Sequence, residues 1–190
     1  MIEAERSPVL VRGVGDVGSA VAAVLFRTGY TVALLDEPAP AAPRRGMAFT
    51  DAVFDRAAIL EGLAALRVDS SAELHDAFEA REMVPVTVAP FSQVLGAANW
   101  SAVIDARMRK RGVPERQRGM ALLTIGLGPN FVAGETVDLA IETMWASGWA
   151  RSSKPARHCR SAATRDRSAG LGAPASSMPR PAVVLRQARK

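Results

Sequence analysis

Three glycines spaced G-x-G-x-x-G, Gly13, Gly15 and Gly18, follow directly on the apolar run Val9-Leu10-Val11-Arg12. The chemistry this spacing serves is the cradling of a phosphate. Gly13 lets the chain turn sharply off a strand, Gly15 leaves bare backbone for a pyrophosphate, and Gly18 lets a helix pack close to the strand. Residues 19–28 form an apolar, helix-like stretch. The N-terminus of such a helix offers N–H groups without intrahelical partners and the positive end of the dipole to an anion. A second apolar run, residues 30–35, ends at Asp36, 18 residues past Gly18. A carboxylate at that distance is placed to accept hydrogen bonds from ribose hydroxyls. Asp16 lies inside the turn, where its charge stands close to a pyrophosphate; alternatively it caps the helix through the N2 or N3 amide.

Two further groups bear on the same chemistry. Arg44 and Arg45 stand in a proline-rich loop just past Asp36. They read either as a guanidinium clamp on a phosphate or carboxylate, or as a solvated pair. Gly126, Gly128 and Asn130 follow the apolar run Ala121-Leu122-Leu123-Thr124-Ile125. This is a second glycine-rich loop at the end of a strand, with Gly126 and Gly128 free to take positive φ and Asn130 tolerant of the left-handed region. In an open parallel sheet such loops meet at one edge, where ligands bind.

The elements that must position these residues are legible in outline. Strands are expected at residues 9–12, 30–35, 84–88, 102–105 and 121–125. Residues 57–68 read as a hairpin around Glu61-Gly62, and residues 72–81 and 91–98 as helices, the first with its N-cap among Asp69-Ser70-Ser71. The basic stretch over residues 106–111 reads as a solvated helix face, or as a docking patch for an anion. Residues 135–146, with Val137, Leu139, Ile141 and Met144, read as an amphipathic helix. The pattern is that of an α/β, Rossmann-like domain over residues 1–150, an open and mostly parallel sheet with helices on both faces.

The 190 residues carry 24 Lys/Arg and 19 Asp/Glu, a net charge of +5. Residues 151–190 hold ten of those bases and one acid, Asp166, which leaves 14 bases and 18 acids in residues 1–150. The basic character therefore belongs to the tail, which is rich in Arg, Ser, Ala and Pro and reads as disordered. It has no aromatic interleaving, so nucleic acid is not the expected partner. A single cysteine, Cys159, excludes an internal disulfide, and two histidines, His75 and His158, are too few for a His-rich metal site. No run of residues reaches the roughly 18 uninterrupted apolar positions of a membrane helix. The N-terminal residues lack the basic start and apolar run of a secretory signal. A soluble protein of the cytoplasm is the expectation, with homo-oligomerisation left open.

Taken together, Val11-Arg12-Gly13-Val14-Gly15-Asp16-Val17-Gly18-Ser19-Ala20, Asp36-Glu37-Pro38, Arg44-Arg45-Gly46-Met47-Ala48-Phe49, Val103-Ile104-Asp105-Ala106-Arg107-Met108, Thr124-Ile125-Gly126-Leu127-Gly128-Pro129-Asn130-Phe131 and Ile141-Glu142-Thr143 resemble the xanthine dehydrogenase accessory factors. These are the XdhC-like proteins, and the likeness is to their branch of selenium-dependent molybdenum hydroxylase system proteins (YqeB-like). It covers residues 8–146. The resemblance implies a maturation factor, more a non-catalytic one than an enzyme, that serves a molybdenum hydroxylase apoenzyme; molybdenum cofactor or a nucleotide is expected in the crevice between the two glycine-rich loops, and no catalytic or metal-ligating residue is assigned. Members of that family continue past Ile141-Glu142-Thr143 with a Gly-rich part, where this chain has its basic tail; a truncated or frame-shifted reading of a longer gene produces that pattern. Two other readings stand beside it. An NAD(P)-dependent oxidoreductase needs a proton donor near the nicotinamide, yet the chain has no Tyr-x-x-x-Lys pair and no zinc set. A Rossmann remnant without activity is the third.

Overall fold

The computed structural model describes residues 7–42, 46–109, 112–144 and, for the backbone alone, 182–186. Two compact units divide the chain, Met1–Glu142 with Val184–Lys190, and Thr143–Val183. The first holds the features described below, except that the last two residues of β8 and the first two of β9 belong to the second.

Its strands are β1 (Val9–Arg12), β2 (Val32–Leu35), β3 (Ala57–Leu60), β4 (Leu63–Arg67), β5 (Val84–Thr87), β6 (Ala102–Asp105), β7 (Leu123–Leu127), β8 (Leu139–Met144) and β9 (Ala182–Arg186). The helices are α1 (Asp16–Arg27), α2 (Thr50–Asp55), α3 (Ser71–Ala80) and α4 (Phe91–Ala97). The sheet runs β3-β4-β5-β2-β1-β6-β7-β8-β9. From β4 to β8 each neighbouring pair is parallel, while β3 and β4 form the antiparallel hairpin. The α/β, Rossmann-like expectation holds. The order reverses between β1 and β6: the chain leaves β1 towards β2 on one side and later returns to β6 on the other. In open α/β sheets a ligand crevice forms outside the carboxyl ends of the strands at such a switch point.

Strands β1, β2, β5 and β6 are buried at every residue, as parallel strands covered on both faces must be. Alternation along each strand sorts the core into two layers. Val9, Val11, Val32, Leu34 and Ile104 pack with Ala22 and Ala23 of α1, Val53 of α2 and Phe49 just before α2. Leu10, Ala33, Leu35 and Val103 face the other way, towards Leu74, Val94 and Trp100. Trp100 meets Phe78 edge-on, with ring centroids 5.9 Å apart, and its indole N–H donates to the Val94 carbonyl at 3.0 Å.

The hairpin, α3 and α4 lie where the sequence places them. Glu61 (φ 48°) and Gly62 (φ 79°) make the tight turn, and the Ser70 hydroxyl accepts the Glu73 amide at the start of α3. Two expectations fail. Residues 135–144 are not a helix: β8 starts at Leu139 and pairs in parallel with β7, Ile125 opposite Leu139 and Leu127 opposite Ile141. Val137, Leu139 and Ile141 recur at every second residue, a strand period that the sparser helical spacing had masked. Residues 106–109 are irregular rather than helical; Met108 takes a left-handed backbone (φ 53°), and Arg107 turns inward instead of facing solvent. Within the tail, Ala182–Arg186 is strand; it contains Val183-Val184-Leu185, the tail's apolar run. The other residues of 151–190, and with them the expectation of disorder, lie outside the described residues.

Candidate functional site

The glycine turn is built tightly, and two of its glycines are accounted for by internal packing. A Cβ on Gly13 (φ +109°) would lie 2.9 Å from the Ala106 carbonyl carbon, and one on Gly18 only 1.8 Å from the Gly13 carbonyl oxygen. Gly15 differs: a Cβ there meets nothing within 4 Å. It occupies the N-cap of α1 with extended backbone and no capping side chain. Asp16 is thus not the cap; it is an exposed residue of the first helical turn. Asp36 spans the loop's flank, its Oδ2 accepting the Val14 amide at 2.8 Å and its Oδ1 the Glu37 amide at 2.8 Å. The Val14 carbonyl is pinned in turn by the hydroxyls of Ser19 (2.9 Å) and Thr50 (2.8 Å). Ser19 Oγ also accepts the Phe49 amide at 2.8 Å. Ser19 and Thr50 therefore position the loop, roles that the sequence reading missed; a hydroxyl directly after the third glycine was the available signal.

The second glycine loop sits at the same edge of the sheet, two strands along from β1. Gly128 takes φ +98°, and its Cβ position faces the Met108 sulfur at 2.9 Å. Asn130 is left-handed (φ 74°) and exposed, its side-chain amide donating to the Gly112 carbonyl at 3.2 Å. Gly126 is not a positive-φ position; it is a residue of β7 whose missing side chain makes room for the Phe131 ring, 2.2 Å from where a Cβ would be. Because β6 lies between β1 and β7, the two loops do not face each other across open space. Residues 106–108 run between them, with Ala106 against Gly13 and Met108 against Gly128. Arg44 and Arg45 lie outside the described residues.

At the switch point itself the structure assembles a charged cluster. Arg12 and Asp105 are register partners at the ends of β1 and β6, on the face that also carries Leu10 and Val103. Asp105 accepts from Arg107 Nε (3.0 Å to Oδ1), Arg107 Nη2 (2.5 Å to Oδ2), the Arg107 amide (3.2 Å) and Gln117 Nε2 (2.6 Å). Arg12 Nη1 lies 3.7 Å from Asp105 Oδ2 and 2.5 Å from Glu115 Oε1. Its guanidinium also stacks over Phe91, 3.6 Å from the ring centroid. Arg107 Nη2 reaches the same Glu115 oxygen at 3.0 Å.

Burial works against the Asp105 charge, but the hydrogen bonds and charge of Arg107, with Gln117 and Arg12, outweigh it and hold the carboxyl below its ordinary value. The same balance, burial against Arg12 and Arg107, leaves Glu115 lowered. Arg107 is raised, since Asp105 and Glu115 overcome its burial. Arg12 is lowered, by burial first and then by its like-charged neighbour Arg107. The sequence placed Asp105 only at the end of the strand expected over residues 102–105, and Arg107 in the basic stretch over residues 106–111. Glu115 and Gln117 arrive from an irregular segment and left no signal.

Arg12 and Arg107 border a cavity of about 340 Å³ together with Asp36, Val88 and Phe91. Asp36, through its bond to Val14, is the wall that this cavity shares with the glycine turn. The lining joins the apolar sides of Val88, Ala89 and Pro90 to the guanidinium groups of Arg12 and Arg107 and to the acids Asp36 and Glu37, so it suits a ring-bearing ligand with polar groups. Among the described residues no group of three or more His, Cys, Asp or Glu is placed to hold a metal ion. No helix among them is long and apolar enough to cross a membrane.

Over 135 residues the chain is 38% identical to the uncharacterized protein YqeB of Escherichia coli strain K12. The match takes in 71% of this chain and 25% of that protein, so the chain spans about a quarter of its relative's length. No family model matches the chain, and no solved structure does.

Proposed function

We propose that this chain is the Rossmann-like part of an XdhC-like accessory factor, which holds an anionic cofactor for delivery to a molybdenum hydroxylase apoenzyme. The observation that carries the binding half of this reading is Gly15: bare, at the N-cap of a 12-residue helix, with nothing where its side chain would stand, and next in sequence to Val14, whose amide is held by Asp36 of the cavity wall. Gly13 and Gly18 are needed for packing alone, whereas the opening at Gly15 has no packing reason. The maturation half rests on the motif resemblance, and the likeness to YqeB supports kinship with that branch.

Molybdenum cofactor fits the site by its phosphate. The first-turn amides of α1 lack acceptors within the helix, and they are the donors this reading assigns to the phosphate. When bound, the cofactor would bring the molybdenum chemistry of the client enzyme. This chain's part is to hold the phosphate and to keep the apolar ring system against Val88 and Pro90. An NAD(P)-dependent oxidoreductase has less support. His75 stands on the exposed side of α3 with its ring nitrogen 3.1 Å from the Ser71 carbonyl, which gives no proton donor in the cavity.

The test is titration of the purified chain with molybdenum cofactor, and separately with NAD and ADP, beside the Gly15→Val variant. The parent should bind molybdenum cofactor, and the variant should lose at least about tenfold in affinity with its melting temperature unchanged. A parent that binds none of the three removes this reading.

A further inference from the structure

The charge count at the switch point is unbalanced without Glu115. Arg12 and Asp105 are buried and Arg107 is largely so, their side chains 7%, 2% and 11% exposed. Asp105 is saturated by Arg107 and Gln117. Two buried cations thus stand against one buried anion, and the remaining positive charge is met by a side chain that is 44% exposed. Both guanidinium groups converge on one oxygen of that side chain, Glu115 Oε1. Arg12 Nη1 lies 2.5 Å from Oε1 and is the main partner that holds Glu115 below its ordinary value, yet it is buried without an aligned hydrogen-bond acceptor among the described residues. Glu115 itself comes from residues 112–118, which form neither helix nor strand. Both arginines also line the cavity.

A buried cation held by a half-exposed carboxylate with one N–H left over is the geometry of an oxyanion site filled from within. We propose that Arg12 and Arg107 form a binding site for a phosphate monoester or diphosphate, and that the Glu115 carboxylate is its exchangeable internal occupant. The proposal rests on reading the switch-point cavity as the anion site, and it adds which residues take the charge and what must leave. A phosphate group carries more charge than a carboxylate and has three oxygens to distribute over two guanidinium groups, including the unaligned Arg12 N–H. Glu115, released, returns to water and gives up its contacts with Arg12 and Arg107, which the contacts of the phosphate replace. As a tethered competitor it lowers the apparent affinity for ligand by the fraction of time it occupies the pair.

The experiment is calorimetry on the full chain at fixed ionic strength, with inorganic pyrophosphate, ADP and adenosine as probes, for the parent, Glu115→Gln, Glu115→Ala and Gly15→Val. Removing the carboxylate should tighten pyrophosphate and ADP by about tenfold or more and leave adenosine unchanged. Two variants guard against a local effect of the new side chain; both must move in the same direction while melting as folded proteins. If both bind pyrophosphate no tighter than the parent, Glu115 is a structural counter-ion and the proposal is overturned. The outcomes also separate it from the reading it rests on. Loss of ADP binding in Gly15→Val with no gain in the Glu115 variants keeps the crevice and removes the displacement. Tightening in the Glu115 variants with Gly15→Val unaffected keeps the arginine pair and removes the glycine turn as the phosphate seat. No binding of pyrophosphate or ADP by the parent or by either Glu115 variant overturns both.

Discussion

Asp105 is the residue on which the switch-point cluster depends. Replacing it with alanine leaves Arg12 and Arg107 buried beside each other with only Glu115 to offset them. Removing one member of a buried ion pair costs about 3–5 kcal/mol, and urea unfolding of Asp105→Ala should show a loss of that size. The pH dependence follows from the direction of the shifts. Asp105 and Glu115 are both held below their ordinary values in the folded chain. Their contribution is therefore complete above the ordinary carboxylate range, about pH 4–4.5, and is lost as the pH falls through their lowered folded values. The urea midpoint should accordingly drop below about pH 4.5, and Asp105→Asn should flatten that drop while lowering the plateau. A parent protein equally stable at pH 3 and pH 6 would contradict the charge assignment. Asp36 makes a different prediction. Its two oxygens already take the Val14 and Glu37 amides, which keeps the carboxylate fixed beside the cavity. A 2′-phosphate there meets a negative charge, so NAD should bind more tightly than NADP in a direct titration.

Among the elements, β7 and the loop after it show how a strand end can be specified by an absent side chain. Gly126→Ala drives a methyl group into the Phe131 ring, and the ring or the strand must move. The substitution should destabilise the fold by about 1–3 kcal/mol. Phe131→Ala should cost less in the Gly126→Ala background than in the parent, a non-additivity expected of residues in contact. Chemical denaturation of the four-member cycle measures it; strict additivity would mean that the two do not interfere. Gly126 had been read as a φ-permissive loop residue, because a sequence shows that a side chain is missing but not what fills its place. The same limit applies to Arg107. A run of Arg and Lys gives the average character of a segment, whereas the single side chain that turns inward is selected by a tertiary partner, Asp105, two residues away. The hairpin was legible because its turn chemistry is local: Glu61 and Gly62 take left-handed backbone. The β8 strand was missed for the opposite reason, since its pairing with β7 is set by residues 14 positions earlier.

Across the whole molecule, the order of strands was recoverable as a class and not as a register. Apolar runs ending in glycine or a carboxylate announced parallel strands, but nothing in the chain stated that β6 would come to lie beside β1 with Arg12 opposite Asp105. That placement decides where the ligand edge is. It also decides where the fold is most resistant to opening. Strands β1, β2 and β6 are central and buried throughout, while β3 is an edge strand with alternating exposure and Ile59 open to solvent. Native-state hydrogen exchange should follow that order, with the amides of Leu10, Leu34 and Val103 among the slowest and those of β3 faster by orders of magnitude. Equal protection in β3 and β1 would mean that the edge is covered.

The unequal standing of the three glycines reaches beyond this one chain. Gly13 and Gly18 hold a turn together whether or not anything binds to it, so natural selection on folding alone retains them. Gly15 is under no such constraint, because its missing side chain borders empty space. In a lineage that gives up its ligand, positions 13 and 18 should persist while position 15 drifts to alanine, serine or larger residues. The middle glycine is then a record of use, and the outer pair a record of architecture. A survey of descendants that finds all three changing together would mean that the turn itself, and not its occupant, is what has been inherited.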